Sequence, residues 1–268
     1  MKKGKVHKQE KKLNPQERQQ EIIKLLKNKS EVKFSELSKI FRVTEMTVRR
    51  DIEKLEEKKL LYRTVGGAIL SPIKQLDLRD RMKLMMDEKI HIGKVAASLI
   101  KPNEAIFIDS GTTTIQISRQ LKYKEITVIT NAPKIALELQ ELRIPTILLG
   151  GQLEGSTLSV VGPIAETNLK DMKFHRAFIA ASGVSSNNGL SNANYFELQI
   201  KKLVIERSQE VNVVIDSSKF ESDSLVSFAK FDKIDRIITD RPLPQKLLNT
   251  CEKYNVEIII ASESNVYS

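Results

Sequence analysis

Seven short apolar runs constrain this chain more than any other feature. They are AIFID at 105–109, ITVIT at 126–130, PTILLG at 145–150, AFIAAS at 177–182, VNVVID at 211–216, RIITD at 236–240 and EIIIA at 257–261. Segments of helical period separate most of them. That alternation predicts an α/β body whose mainly parallel sheet carries helices on its faces. In such sheets ligands bind beyond the carboxyl ends of the strands, so the residues that follow each run are the place to look for function.

Several of those ends are polar or glycine-rich. After AIFID the chain continues Ser110, Gly111, Thr112, Thr113, Thr114 and enters a helical segment, TIQISRQL. Glycine lets a backbone approach closely, hydroxyls donate hydrogen bonds, and a helix start favours negative charge, all of which suits a phosphate. The same threonines are equally at home as plain helix caps. The loop is not a Walker loop, because it lacks the G-K-[ST] ending. Asn131, Gly150-Gly151 and Ser182-Gly183 follow three further runs. Lys219 stands three residues past Asp216, a compact positive charge suited to a phosphate and also to an ordinary surface.

Charge separates the rest of the chain from this body. Residues 1–75 hold 20 Lys/Arg against 10 Asp/Glu, whereas residues 76–268 hold 24 of each. A neutral body behind a basic head predicts that the head meets a polyanion. Within the head, Asn14, Pro15 and Glu17 start a helix that buries Ile22, Ile23, Leu25 and Leu26. FSELSKIF is a second helix, expected to bury Leu37, Ile40 and Phe41. Thr44 caps a third, on which Val48, Ile52 and Leu55 face inward. Glu45, Met46, Thr47, Arg49 and Arg50 then point outward, the helix-turn-helix arrangement in which a helix enters the major groove and Arg meets guanine. LLYRTVGGAIL follows as a hairpin wing around Gly66-Gly67, with Arg63 free to reach the DNA backbone. The boundaries expected are a basic tail at 1–13, a winged helix-turn-helix domain at 14–71, a linker at 72–88 around Ser71-Pro72, and an α/β sensor domain at 89–268.

MTVRRDIEKLEEKKLLYRTVGGA resembles the N-terminal signature of DeoR-type bacterial transcriptional regulators. Two departures stand out: Lys58-Lys59 where a glycine is usual, and Val65 where a histidine usually precedes the glycine pair. IFIDSGTT, VITN, LLGGQ, AFIAASGV, GLSNANYFE and IDSSKF follow in the order of that family's sensor domain, itself similar to type A ribose-5-phosphate isomerase. The resemblance implies a phosphorylated sugar as effector. It places the phosphate on Ser110 to Thr114 with Lys219 as counter-charge, and adds Lys89, just before the helix IHIGKVAASLI, as a further candidate. Glu197 would reach sugar hydroxyls, and Asn131 and Gly183 would line the same site. It also implies double-stranded operator DNA as partner, repression rather than activation, and a homo-oligomer, dimer or tetramer, whose paired heads engage half-sites.

The alternative is an isomerase-like enzyme with a fused head. Isomerisation needs a carboxylate base and groups that polarise oxygen. The strand end Ala180 to Val184 carries no acid, SSNNGLSNANYFE contains no lysine, and His175 stands where many such sensors have Asp. Turnover is therefore not expected, and no cofactor or metal either: His7, His91 and His175 are scattered. A single cysteine, Cys251, fits the cytoplasm, and no run approaches the ~20 apolar residues of a membrane helix.

Overall fold

A computed structural model describes residues 13–28, 31–57, 61–64, 66–70, 78–122, 124–155 and 157–261. Residues 1–12, Lys58-Lys59, Val65 and Ser71-Pro72 lie outside these. Two compact units divide the chain, residues 1–76 and 77–268.

The first unit runs α1 (Pro15–Asn28), β1 (Glu31–Lys33), α2 (Phe34–Phe41), α3 (Glu45–Glu57), β2 (Leu61–Arg63) and β3 (Gly67–Leu70). Its helix α1 opens on a reciprocal cap. Asn14 Oδ1 accepts from the Glu17 amide and Glu17 Oε2 from the Asn14 amide, each at 2.9 Å. Ile22 and Leu26 join Leu37, Val48, Ile52 and Leu55 in one core. Ile40 does not, being 50 % exposed. Phe34, Leu37 and Phe41 define the inner face of α2, and at about 100° per residue Ile40 falls on its flank. The antiparallel sheet has the order β1-β3-β2. Its first strand, Glu-Val-Lys, has one apolar residue and so escapes a reading based on hydropathy.

The second unit begins with α4 (Leu78–Lys83) and α5 (Met86–Ser98). Residues 78–83 and 86–88 are therefore helical rather than linker, and Lys89 sits inside α5 rather than before it. The sheet and its covering helices follow as β4 (Ala105–Ile108), α6 (Thr114–Ser118), β5 (Thr127–Thr130), α7 (Pro133–Glu141) and β6 (Thr146–Leu148). Next come a small hairpin, β7 (Gln152–Glu154) and β8 (Ser159–Val161), then α8 (Pro163–Lys170) and β9 (Phe174–Ile179). After these run β10 (Gly183–Ser185), β11 (Gly189–Asn192), α9 (Leu198–Arg207), β12 (Ser208–Val214), β13 (Val226–Ala229), β14 (Arg236–Thr239), α10 (Gln245–Lys253) and β15 (Glu257–Ile260).

The seven apolar runs are the seven strands of one parallel sheet, ordered β15-β14-β12-β9-β4-β5-β6. Successive residues of the inner strands feed opposite cores. Phe107, Ala177, Ile179 and Val213 meet α8, α9 and α10, whereas Ile106, Ile108, Phe178 and Val214 meet α5, α6 and α7. The chain travels outward from β4 through β5 to β6, then returns to β9 on the other flank of β4. That reversal opens a crevice at the carboxyl ends of β4 and β9.

The amino ends carry a charge ladder. Arg176 pairs with Glu104 at 2.9 Å and Glu210 at 2.5 Å, and Arg236 pairs with Glu210 and, at 2.7 Å, with Glu257. His175 belongs to this end, its Nδ1 accepting from the Ala105 amide at 3.0 Å. It has no bearing on chemistry at the opposite end of the sheet.

Candidate functional sites: a DNA-reading helix and a switch-point cavity

In the first unit, Thr44 Oγ1 accepts from the Thr47 amide at 3.2 Å and so caps α3. Glu45, Met46 and Arg50 are exposed, and Thr47 and Arg49 partly so. The Arg49 guanidinium lies 4.2 Å from the centroid of the Phe34 ring and 4.0 Å from Glu45. Stacking orients it without burying it. Arg63 is not free: it pairs with Glu53 of α3 at 2.7 Å. Both side chains are about half exposed, a pairing of ~0–1 kcal/mol that DNA phosphate can displace. Two basic residues that sequence reasoning passed over, Lys39 and Arg42, line a groove with Thr44 and Thr47 beside the start of α3.

Beneath this surface, Arg18 Nε donates to Asp51 Oδ2 at 2.5 Å and Gln19 Nε2 to Asp51 Oδ1 at 3.2 Å. Arg18 and Asp51 are both buried. The pair ties α1 to the underside of α3, so the angle at which α3 presents its outer face is fixed from below.

In the second unit the switch-point crevice is built around two buried carboxylates. Asp109 follows β4, and its Oδ2 accepts from the Ala180 amide at 3.1 Å and from Lys201 Nζ. Lys201, itself buried, also donates to Ala180 O at 2.9 Å. Acid and lysine thus clamp the ends of β4 and β9 where the strands part. Burial drives the Asp109 carboxyl above its ordinary range, outweighing the opposite pull of Lys201.

Glu197 is the second carboxylate. Its Oε1 accepts from Ser159 Oγ at 2.7 Å and Ser110 Oγ at 3.1 Å, and its Oε2 from Asn192 Nδ2 at 2.6 Å. Burial would raise this carboxyl; Lys201 and the hydrogen bonds from Ser159, Asn192 and Thr157 overcome that and hold it below the usual carboxylate range. These bonds tie the turn after β4 to the start of β8 and the end of β11.

Ser110, Gly111 and Thr112 line a cavity of about 20 Å³ with Met82, Lys134, Thr157 and Leu158. The Ser110 amide donates to Asn131 Oδ1 at 3.0 Å. Only glycine fits at 111, because a Cβ there would lie 2.8 Å from that of Ala180. Thr113 is buried, and Thr114 Oγ1 donates to Gly111 O at 3.1 Å. The helix α6 that follows has five residues, too few for the helix-start field the sequence suggested; amides of the turn and hydroxyls remain. Asn131 Nδ2 and Asp109 Oδ1 are buried with no partner among the described residues. Orphans of that kind are rare, and a bound ligand is one way to satisfy them.

Three of the expected residues lie apart from this cavity. Gly183 starts β10, where a Cβ would be 2.3 Å from Ser222 O, so its glycine serves strand packing. Lys219 occupies a helical turn that follows β12 and is not among the residues that line the cavity. Lys89 is near Lys219. Its Nζ donates to Arg81 O at 2.7 Å and Leu84 O at 2.6 Å, and stands 3.9 Å from Asp216. Burial lowers the Lys89 ammonium to about 8, against the upward pull of Asp216. Among the described residues no group of His, Cys, Asp and Glu could hold a metal, and no helix is long and apolar enough to cross a membrane.

A winged helix with a basic outer face, joined to an α/β unit with a switch-point cavity, defines a DNA-binding transcriptional regulator with a sensor domain. Residues 18–73 match the DeoR-like helix-turn-helix domain and residues 85–241 the DeoR C terminal sensor domain. The chain belongs to the DeoR family. It is 36 % identical to the uncharacterized HTH-type transcriptional regulator YulB of Bacillus subtilis, over 90 % of this chain and 95 % of that protein. It is also 36 % identical to the lactose phosphotransferase system repressor of Lactococcus lactis, over 90 % and 97 %. These relatives are named as regulators, not enzymes. Ribose 5-phosphate isomerase A of Methanocaldococcus jannaschii superposes on half of the chain, 50 % of it and 54 % of that structure, at 20 % identity and a TM-score of 0.38.

Proposed function

We propose that the chain represses a carbohydrate operon and that a phosphorylated sugar releases it. What supports the effector class is the cavity lining: among the described residues it has the Thr112 hydroxyl, one ammonium, and no carboxylate. An anion with oxygen acceptors is the ligand such a surface suits. On this reading the phosphoryl group rests on the turn Ser110 to Thr114, with Asn131 donating its unused Nδ2. The sugar extends along the carboxyl ends of the strands toward Lys89 and Lys219. The repressor sign and the carbohydrate operon follow the relative named as a lactose phosphotransferase system repressor.

On the same reading Thr44, Glu45, Met46, Thr47, Arg49, Arg50 and Arg63 face operator DNA. The working form is a cytoplasmic homo-oligomer, dimer or tetramer, whose heads meet half-sites about one helical turn, or a multiple, apart.

A thermal-shift screen of the full chain against phosphorylated sugars tests the proposal, since a ligand that binds the native state raises apparent stability. One or more of them should raise the melting temperature, and the same compound should dissociate the operator complex. Thr113→Ala or Lys219→Ala should weaken both responses. A phosphorylated sugar that stabilises the chain but leaves operator binding unchanged would refute the effector role.

A further inference from the structure

Lys134 is the second residue of α7 and, among the described residues, the one charged residue that lines the cavity with Ser110, Gly111 and Thr112. Among the described residues, its ammonium has a single partner, the Met82 sulfur at 3.0 Å. A thioether is a weak acceptor. An ammonium carries three donors and seeks carboxylate, carbonyl or water; here a half-buried one is turned toward a sulfur. Elsewhere in this unit the lysines that reach inward are well supplied. Lys201 has Asp109 and Ala180 O, Lys89 has two carbonyls, and Lys124 has Ile100 O at 2.7 Å.

A second observation comes from the same corner. Asn131, three residues before Lys134, is fully buried, and its Oδ1 is committed to the Ser110 amide. Its Nδ2 has no acceptor among the described residues. Asn131 thus holds the Ser110 turn through one atom and keeps a second donor unused behind it, while Lys134 lines the cavity itself with its ammonium on a poor acceptor. Among the described residues no carboxylate lines the cavity.

We infer that Lys134 is an anion-binding residue of the sensor cavity, pairing with the phosphoryl group of the effector and leaving the Met82 sulfur to do so. The inference rests on the sugar-phosphate reading of the cavity. It adds a charge that neither the strand-end motifs nor Lys219 supply, on the β5 side of the crevice rather than the β12 side.

Inorganic phosphate is the probe, titrated into the full chain against chloride at matched ionic strength, with melting temperature as readout. Wild type should be stabilised. Lys134→Ala should need about tenfold more phosphate for the same shift, the loss of one charge-assisted contact. Lys134→Arg should remain within about threefold of wild type, since it keeps the charge. Leu137→Ala, on the exposed side of α7, should behave as wild type. If Lys134→Ala responds at wild-type concentrations while Thr112→Val does not, the cavity binds phosphate and the role of Lys134 is overturned. If the response survives both substitutions, or wild type shows none, the cavity reading falls and this inference falls with it.

Discussion

Asp51 stands among outward-facing charges in the sequence, yet it is 3 % exposed in the fold. A charge that far from water needs a partner, and Arg18 supplies it from α1. Removing one member strands the other, at a cost of about 3–5 kcal/mol. Asp51→Ala should therefore unfold the first unit at markedly lower urea, and operator binding should be lost with it. Replacing both, Arg18→Met with Asp51→Leu, should recover most of that stability, because two apolar side chains need no counter-charge. Urea unfolding followed by circular dichroism reads all three variants. Equal stability of Asp51→Ala and wild type would mean the pair is incidental. The sequence places Asp51 one residue before the inward Ile52, and that neighbourhood is the only hint it offers. The partner lies 33 residues back, at no period that a pattern search inspects.

At the scale of elements, legibility followed burial. The inner strands of the large sheet are covered on both faces and so are apolar at nearly every buried position, and the edge strands β6 and β15, though partly exposed, keep apolar runs, so all seven are legible directly. The short strands β1, β7, β10, β11 and β13 pair at edges or in small sheets, mix polar with apolar residues, and left no period to find. The cavity was half legible. Its hydroxyl turn is a contiguous motif, whereas Lys134, and the clamp of Asp109 with Lys201, join segments that only the fold brings together. The elbow between α4 and α5 has the look of a linker in the sequence because α4 is short and charged. It bears on the cavity directly: Met82 lines it, and about 20 Å³ holds roughly one water, not a phosphoryl group. On the proposed reading of this cavity, ligand entry requires the rim to move, and Met82 sits beside the elbow that Lys89 holds by two carbonyls.

That lysine gives the elbow a pH signature. Its folded value is about 8 against an ordinary 10.5, so between those limits the unfolded chain binds the proton and the folded chain does not. Stability from this group rises with pH across that window and is at its lowest below 8. Denaturation of wild type and Lys89→Met from pH 7 to about 10.5 should show the difference, wild type minus variant, increasing with pH. A flat difference would mean that Lys89 is not held in a desolvated site.

At the scale of the whole molecule, charge and sensing occupy different units of one chain. Excess positive charge lies in residues 1–75 and the sensor is neutral, so DNA affinity should be electrostatic in origin and confined to the head. Log affinity for operator should then fall linearly with log salt, with a slope near −0.9 for each phosphate neutralised. Arg50 is exposed on the outer face of α3. If it meets phosphate, Arg50→Ala should weaken binding to all sequences alike and make the slope shallower by about 1; if it meets a base, one operator position should lose its preference instead. Arg49 is held against Phe34, so Arg49→Lys should be nearly as damaging as Arg49→Ala, since an ammonium does not reproduce a stacked planar fork. Effector control needs only a coupling of about 1–3 kcal/mol between the two units, enough to change operator occupancy 5- to 150-fold. Coupling is reciprocal, so operator DNA should weaken effector binding by the same factor. Titrating the effector with and without operator at one salt concentration measures both sides of that equality. Unequal factors would mean that the DNA and the effector do not act on one shared equilibrium.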